Sequence, residues 1–173
     1  MIPGGWSDRE LQLGDRRVRI LLPTLPDEFL EQLERTTAAG HEDDPYWAQL
    51  WPASLSMARL VQAACWPKNA SVLELGCGIG LVGLAASLAG LNITLTDCVE
   101  LAVATAVENA HRNGCADARG LVLDWTRPPQ QQYPIILASD VLYDSELHLP
   151  LLRTIGAMLA DGGECWIGDP GRS

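Results

Sequence analysis

Three glycines in five residues, Gly76-Cys77-Gly78-Ile79-Gly80, follow the apolar run Ser71-Val72-Leu73-Glu74-Leu75 and precede Leu81, Leu84, Ala85 and Leu88 at helical spacing. A strand, a glycine loop and a helix in that order aim backbone N–H groups and the positive end of a helix at whatever binds there. The missing Cβ atoms let a ligand approach the chain. Asp97 closes the next short run, Asn92 to Thr96, where a carboxylate can accept both hydroxyls of a ribose. Together these residues predict an adenosine-type cofactor. Gly78, Gly80 and Gly83 also satisfy a dinucleotide fingerprint, with Asp97 near the place of its ribose acid. Glu74 separates the two classes. A carboxylate two residues before the first glycine repels a pyrophosphate, whereas S-adenosylmethionine carries no phosphate but an ammonium and a sulfonium, which an acidic glycine loop suits.

To hold these residues the chain must alternate strands and helices. Pro52 fits the first position of a helix, and Met57, Leu60, Val61 and Ala64 continue it at helical spacing. After the strands at Ser71–Leu75 and Asn92–Thr96, one helix face is marked by Val99, Ala102, Val103, Ala106, Val107 and Ala110, and Asn113-Gly114 ends it. Gly120 to Leu123 reads as a third strand and Ile135 to Ala138 as a fourth. A helix carrying Leu151, Leu152, Ile155, Met158 and Leu159 closes at Gly162-Gly163, and Glu164 to Gly168 makes the fifth strand. This order implies βαβ crossovers, hence an α/β fold with a mainly parallel sheet and helices on both faces, and ligands at the carboxyl ends of the strands. Upstream, Arg17, Val18, Arg19, Ile20 and Leu21 predict a hairpin around Gly14-Asp15 followed by a polar helix. Residues 1–44 therefore read as a hairpin/helix extension, and 45–173 as one Rossmann-like unit.

The glycine loop in its setting, Val72-Leu73-Glu74-Leu75-Gly76-Cys77-Gly78-Ile79-Gly80, resembles the first motif of class I S-adenosylmethionine-dependent methyltransferases. The likeness extends to the seven-β-strand protein-lysine group, methyltransferase family 16. Its marks stand in order: Leu50-Trp51-Pro52-Ala53, Gly80-Leu81-Val82-Gly83-Leu84-Ala85, Leu95-Thr96-Asp97, Leu123-Asp124-Trp125 and Ser139-Asp140-Val141-Leu142-Tyr143. Pro45-Tyr46-Trp47-Ala48 and Ile167-Gly168-Asp169-Pro170-Gly171-Arg172 look most like the branch that methylates the electron-transfer flavoprotein β-subunit. The resemblance covers residues 45–173.

The resemblance implies S-adenosyl-L-methionine as cofactor and assigns the site. Trp51 flanks its methionine end, Gly76, Cys77 and Gly78 line it with Glu74 and Gly80 in the same motif, and Asp97 holds the ribose. Trp125 with Asp124 borders the adenine, which needs a flat apolar wall and an acceptor for its amine, and Ser139 lies against the cofactor. Asp140 and Tyr143 match the Asp-x-x-Tyr motif where substrate amine meets cofactor methyl. The methyl is already activated by the sulfonium, so the enzyme needs no nucleophile, and what remains is orientation and loss of the amine proton. A lysine of pKa about 10.4 is neutral at pH 7 at a cost of roughly 4.6 kcal/mol. Asp140 is expected to orient the ammonium and Tyr143 to wall its channel. Trp6, Trp47, Trp66 and Trp166 are expected to pack in the core or on the surface, and Asp144 to sit in a solvated turn.

The reaction implied is methyl transfer to a lysine presented by a protein. The same site shape would serve a small-molecule amine, and a cofactor-binding module without activity would carry the same motifs. With 12 basic against 22 acidic side chains and a net charge of −10, the chain shows no basic patch for nucleic acid. No apolar run reaches the ~20 residues of a membrane span, and residues 1–15 lack the features of a signal peptide. Five cysteines without a C-x-x-C pair, and three histidines without ligand spacing, predict buried thiols, no metal and a cytoplasmic protein. Against the seven strands of the resemblance this sequence is two strands short. That predicts either a longer parent chain or a homodimer formed through the open sheet edge.

Overall fold

Val72, Leu73, Leu75, Ile136 and Leu137 are fully buried although they alternate in direction along their strands, which only strands covered on both faces allow. The structure, a computed structural model, describes residue 2 and residues 4–25 and 45–171. A hairpin of β1 (Trp6–Leu13) and β2 (Arg16–Pro23) comes first, turning at Gly14-Asp15 as expected. The polar helix expected after it, His41 and Arg172 lie outside the described residues. A 3-10 turn at Pro45–Ala48 leads into α1 (Pro52–Ala63), with proline at its start. Then follow β3 (Ser71–Leu75), α2 (Leu81–Leu88), β4 (Asn92–Asp97), α3 (Glu100–Arg112), β5 (Arg119–Val122), β6 (Tyr133–Ser139), α4 (Ser145–Met158) and β7 (Leu159–Gly168).

The five strands from β3 onward form one parallel sheet in the order β5-β4-β3-β6-β7. Chain order runs outward from β3 in one direction and then from β6 in the other, so the crevice at the carboxyl ends of β3 and β6 is the topological switch point. On one face Val72, Ile93, Leu95, Ile135 and Leu137 pack with α1, α2 and α3. On the other, Leu73, Leu75, Ile136 and Ala138 pack with Leu151 and Met158 of α4. The hairpin joins the first of these cores through Leu13, Val18, Ile20 and Leu22. Its attachment is polar as well: the buried Asn109 of α3 accepts from Leu21 N at 2.7 Å and donates to the carbonyls of Leu21 at 3.1 Å and Ile79 at 2.9 Å. One side-chain amide thus ties the hairpin to the glycine loop.

One element differs from the sequence reading. The helix expected to run to Gly162-Gly163 stops at Met158, and β7 begins at Leu159 and passes through both glycines. Tyr133 pairs with Leu159 but Ile135 with Glu164, so β7 carries extra residues opposite β6. Glycine punctuates a helix in sequence, but here it absorbs an irregularity inside a strand.

Gly83 shows how closely α2 lies on the sheet. A Cβ there would sit 2.3 Å from Leu95 Cδ2 and 2.5 Å from Glu74 Oε2. Gly83→Ala should therefore destabilise the fold by about 1–3 kcal/mol, the usual cost of overpacking, read as a lower denaturation midpoint at unchanged m-value.

Candidate active site

The loop between β3 and α2 is left-handed at all three glycines, with φ of 63° at Gly76, 50° at Gly78 and 80° at Gly80. Each also admits a close neighbour. A Cβ on Gly76 would lie 2.9 Å from Val141 Cγ1 and 3.4 Å from Trp125 Cζ2, and one on Gly78 would lie 3.1 Å from the carbonyl oxygen of Trp47. The loop is braced from β4: Asp97 Oδ2 accepts from Gly78 N at 3.0 Å, its Oδ1 accepts from Val99 N at 3.1 Å, and Cys77 N donates to Thr96 O at 2.8 Å. Asp97 thus fixes the glycine loop as well as standing in the cleft beside it.

That cleft opens at the carboxyl ends of β3, β4 and β6. It brings together Trp51, Gly76, Gly78, Asp97, Asp124, Trp125, Ser139, Asp140 and Tyr143 from the sequence reading. Glu74 and Cys77 line a smaller adjoining cavity that shares Ser139 and Asp140 with the cleft. Gly80 lines neither cavity. A Cβ on it would meet Ala106 Cβ at 2.6 Å, so it serves the packing of α2 on α3.

Tyr46, Trp47, Cys98, Leu123, Thr126, Val141 and Leu147 also line the cleft, and sequence reasoning did not place them there. Trp47 packs in the core, as expected, and also walls the site. The signal available for Cys98 and Val141 was position, one and two residues past the carboxyl ends of β4 and β6.

Asp140 follows β6 with φ 58°, in the left-handed region that Asp tolerates better than most residues. Its amide donates to Gly168 O at 2.8 Å and its Oδ2 accepts from Ser54 N at 3.0 Å. Trp51, the N-cap of α1, makes no side-chain cap, so the carboxylate of Asp140 satisfies a first-turn amide from across the fold and meets the positive end of the helix. Asp124 closes an Asx turn, its two oxygens accepting from Thr126 N at 2.8 Å and Thr126 Oγ1 at 2.7 Å. That holds Trp125 with its ring beside Gly76, and Thr154 of α4 donates to Trp125 O at 2.9 Å. Asp144 caps α4 by accepting from Glu146 N at 2.8 Å.

Glu74 is 1% exposed and accepts from Gly83 N at 2.8 Å. Burial pushes its carboxyl up to about 8, with the charge of Asp97 adding to the rise and the Gly83 amide opposing it. The sequence reading took Glu74 as an anion; at neutral pH it is largely a neutral acid, because solvent is excluded around it. Burial, with Asp97 and Glu74 nearby, likewise holds the Cys77 thiol protonated.

A family model described as lysine methyltransferase matches residues 41–169. The electron transfer flavoprotein beta subunit lysine methyltransferase of Rattus norvegicus is 33% identical over 135 residues, covering 75% of this chain and 52% of that protein. The protein N-lysine methyltransferase METTL21A of Danio rerio is 32% identical over 116 residues, covering 62% of this chain and 53% of that protein. The chain spans about half the length of these curated relatives. Among solved structures, a TehB-like SAM-dependent methyltransferase from Corynebacterium glutamicum superposes with a TM-score of 0.56 at 21% identity, covering 82% of this chain and 71% of that one. Coclaurine N-methyltransferase bound to N-methylheliamine and SAH gives 0.59 at 19%, covering 84% and 45%. These structural likenesses establish a Rossmann-like fold of the kind found in SAM-dependent methyltransferases.

Proposed function

We propose, from the fact that this chain belongs to the lysine methyltransferase family, that it binds S-adenosylmethionine in the cleft and methylates a lysine ε-amine of a protein. The observation that carries this reading is the meeting of two unlike halves in one cleft at the switch point. On one side stand bare glycine backbone, Asp97 and the Trp125 ring; on the other, Asp140 and Tyr143. The cofactor reading is supported by the backbone of Gly76 and Gly78 on the cleft wall, by Asp97 beside them as a candidate for the ribose, and by the Trp125 ring as a flat wall for an adenine.

Bound there, S-adenosylmethionine supplies a methyl on a sulfonium that departs as a neutral thioether. The chain's own residues do the rest. Asp140, its carboxylate fixed by Ser54 N, orients the incoming ammonium and takes up positive charge as the amine loses its proton. Tyr143 and Trp51 wall the approach. The names of the relatives support a protein substrate, and the electron transfer flavoprotein β-subunit is the first to try. The edge of β7 away from β6 pairs with no strand among the described residues, which supports a second copy adding there; a monomer by sedimentation at micromolar concentration would overturn that part. Five free thiols support a reducing, cytoplasmic setting.

Calorimetric titration tests the cofactor. S-adenosylmethionine should bind and NAD should not, and Trp125→Ala should weaken the former about tenfold or more, equivalent to roughly 1.4 kcal/mol. Transfer of labelled methyl to a lysine of the flavoprotein subunit tests the reaction. Binding of NAD alone would defeat the proposal.

A further inference from the structure

Three carboxyls surround the glycine loop: Glu74 on β3, Asp97 at the end of β4 and Asp140 after β6. No Lys, Arg or His among the described residues lines either the cleft or the smaller cavity that adjoins it. Glu74 is the most buried of the three, at 1% exposure. Its Oε2 accepts from Gly83 N at 2.8 Å, while its Oε1 accepts no hydrogen bond among the described residues. The side chain lines the adjoining cavity beside Gly76, Cys77 and Gly78. One oxygen of a buried acid is thus left to whatever enters there.

The surroundings of Glu74 supply no positive charge to ionise it. α2, laid over it, carries no titratable residue, and the charged residue of α1, Arg59, is exposed. The end of β4 brings Asp97 with Cys98 after it, the loop brings Cys77, whose thiol is held protonated, and the chain after β6 brings Asp140. All of these are acids. A cation entering a poorly solvated cavity beside a buried carboxyl favours its ionised form. S-adenosylmethionine and its product differ in this respect. The donor carries an ammonium, a carboxylate and a sulfonium, a single positive charge overall, whereas S-adenosylhomocysteine has a thioether in place of the sulfonium and is neutral overall.

We infer that Glu74 releases its proton when S-adenosylmethionine binds and regains one when S-adenosylhomocysteine is left, so that this carboxyl reads the sulfonium charge and sets the preference for methyl donor over spent product. The inference rests on the methyltransferase reading above and adds how the site tells its two ligands apart. The balance closes over a turnover. The proton of Glu74 goes to solvent on binding. Transfer breaks the S–C bond, leaves its electron pair on sulfur, forms the N–C bond and releases one proton from the lysine nitrogen, and Glu74 then takes one proton back from solvent. The sign with pH follows. Where the free protein and the product complex keep Glu74 protonated and the donor complex does not, donor affinity rises with pH and product affinity does not. The preference for donor therefore grows toward alkaline pH and levels off once Glu74 is ionised in every state.

The test begins with the wild type alone. The full chain is titrated calorimetrically at pH 7 in phosphate and in Tris, whose ionisation enthalpies differ, so that the two heats give the protons released. S-adenosylmethionine should release about half a proton or more beyond what S-adenosylhomocysteine releases. Titrations at pH 6, 7 and 8 then give the ratio of donor to product affinity. From pH 6 to 8 that ratio should rise roughly fivefold or more in the wild type relative to Glu74→Gln, whose own ratio carries the titration of the ligands' amino groups. Equal proton release for the two ligands, or the same pH dependence of the ratio in wild type and variant, would overturn the inference. A wild type that binds neither ligand would instead overturn the methyltransferase reading, and the first titration tells the two failures apart.

Discussion

Asp140→Asn should lower methyl transfer by about 10²–10³-fold, within the range for removing a group that handles a proton in the transition state, while S-adenosylmethionine affinity changes less than threefold. The choice of Asn follows from the geometry. Asp140 sits at φ 58° and accepts from Ser54 N through Oδ2. Asn tolerates the left-handed backbone and keeps a side-chain oxygen for that amide, but it carries no charge and accepts no proton. The fold should therefore melt within a degree or two of the wild type, and the loss is chemical. Asp140→Ala would lose the same activity and also the tie to α1, with a stability cost of about 1–2 kcal/mol for a missing cap. Single-turnover transfer from labelled cofactor to the flavoprotein β-subunit, beside calorimetric titration of the cofactor, separates these effects. Unchanged turnover in Asp140→Asn would remove the carboxylate from the reaction. A parallel collapse of cofactor affinity would move Asp140 from the substrate side of the cleft to the cofactor side.

The parts of this site that could be read from the sequence are those written in one stretch of chain. The glycine loop after Leu75 and the acid at Asp97 share a βαβ unit, and the local rules of strand, turn and helix place both. The central strands β3 and β6 were equally readable, because continuous apolar runs between turn residues fit strands buried on both faces. What needed the structure was whatever depends on distant chain. Tyr46 and Trp47 belong to a four-residue turn with no period to detect, and only the packing of that turn against Gly78 brings them to the cleft. The tie from Asp140 to Ser54 spans 86 positions and leaves no local mark. At β7 the local rule gave the wrong boundary, since pairing with β6 outweighs the helix-ending tendency of Gly162-Gly163. Glu74 read as an anion in the sequence, but its protonation is set by its burial under the helix laid over it and not by its neighbours in sequence.

That protonation makes stability depend on pH with a definite sign. The carboxyl of Glu74 titrates near 4.5 when exposed and is pushed up to about 8 in the fold. Between those values the folded state holds a proton that the unfolded chain has released, so stability falls as pH rises through this window. The full swing is on the order of 5 kcal/mol, since each tenfold change in proton affinity corresponds to about 1.4 kcal/mol. Most of it is lost by pH 8, where the fold must either keep the proton against the solution or bury a carboxylate with one amide for company. Glu74→Gln removes the titration at nearly the same size and shape while leaving a carbonyl oxygen for Gly83 N. Thermal unfolding of the two proteins between pH 5 and 8.5 should therefore give curves that converge at the acid end and separate at the alkaline end, with the variant the more stable. At about 2–4 °C per kcal/mol for a chain of this size, the gap at pH 8.5 should reach roughly 10 °C. Parallel curves across the whole range would show that Glu74 is ionised in the folded protein, and would return to it the anionic role that the sequence first assigned.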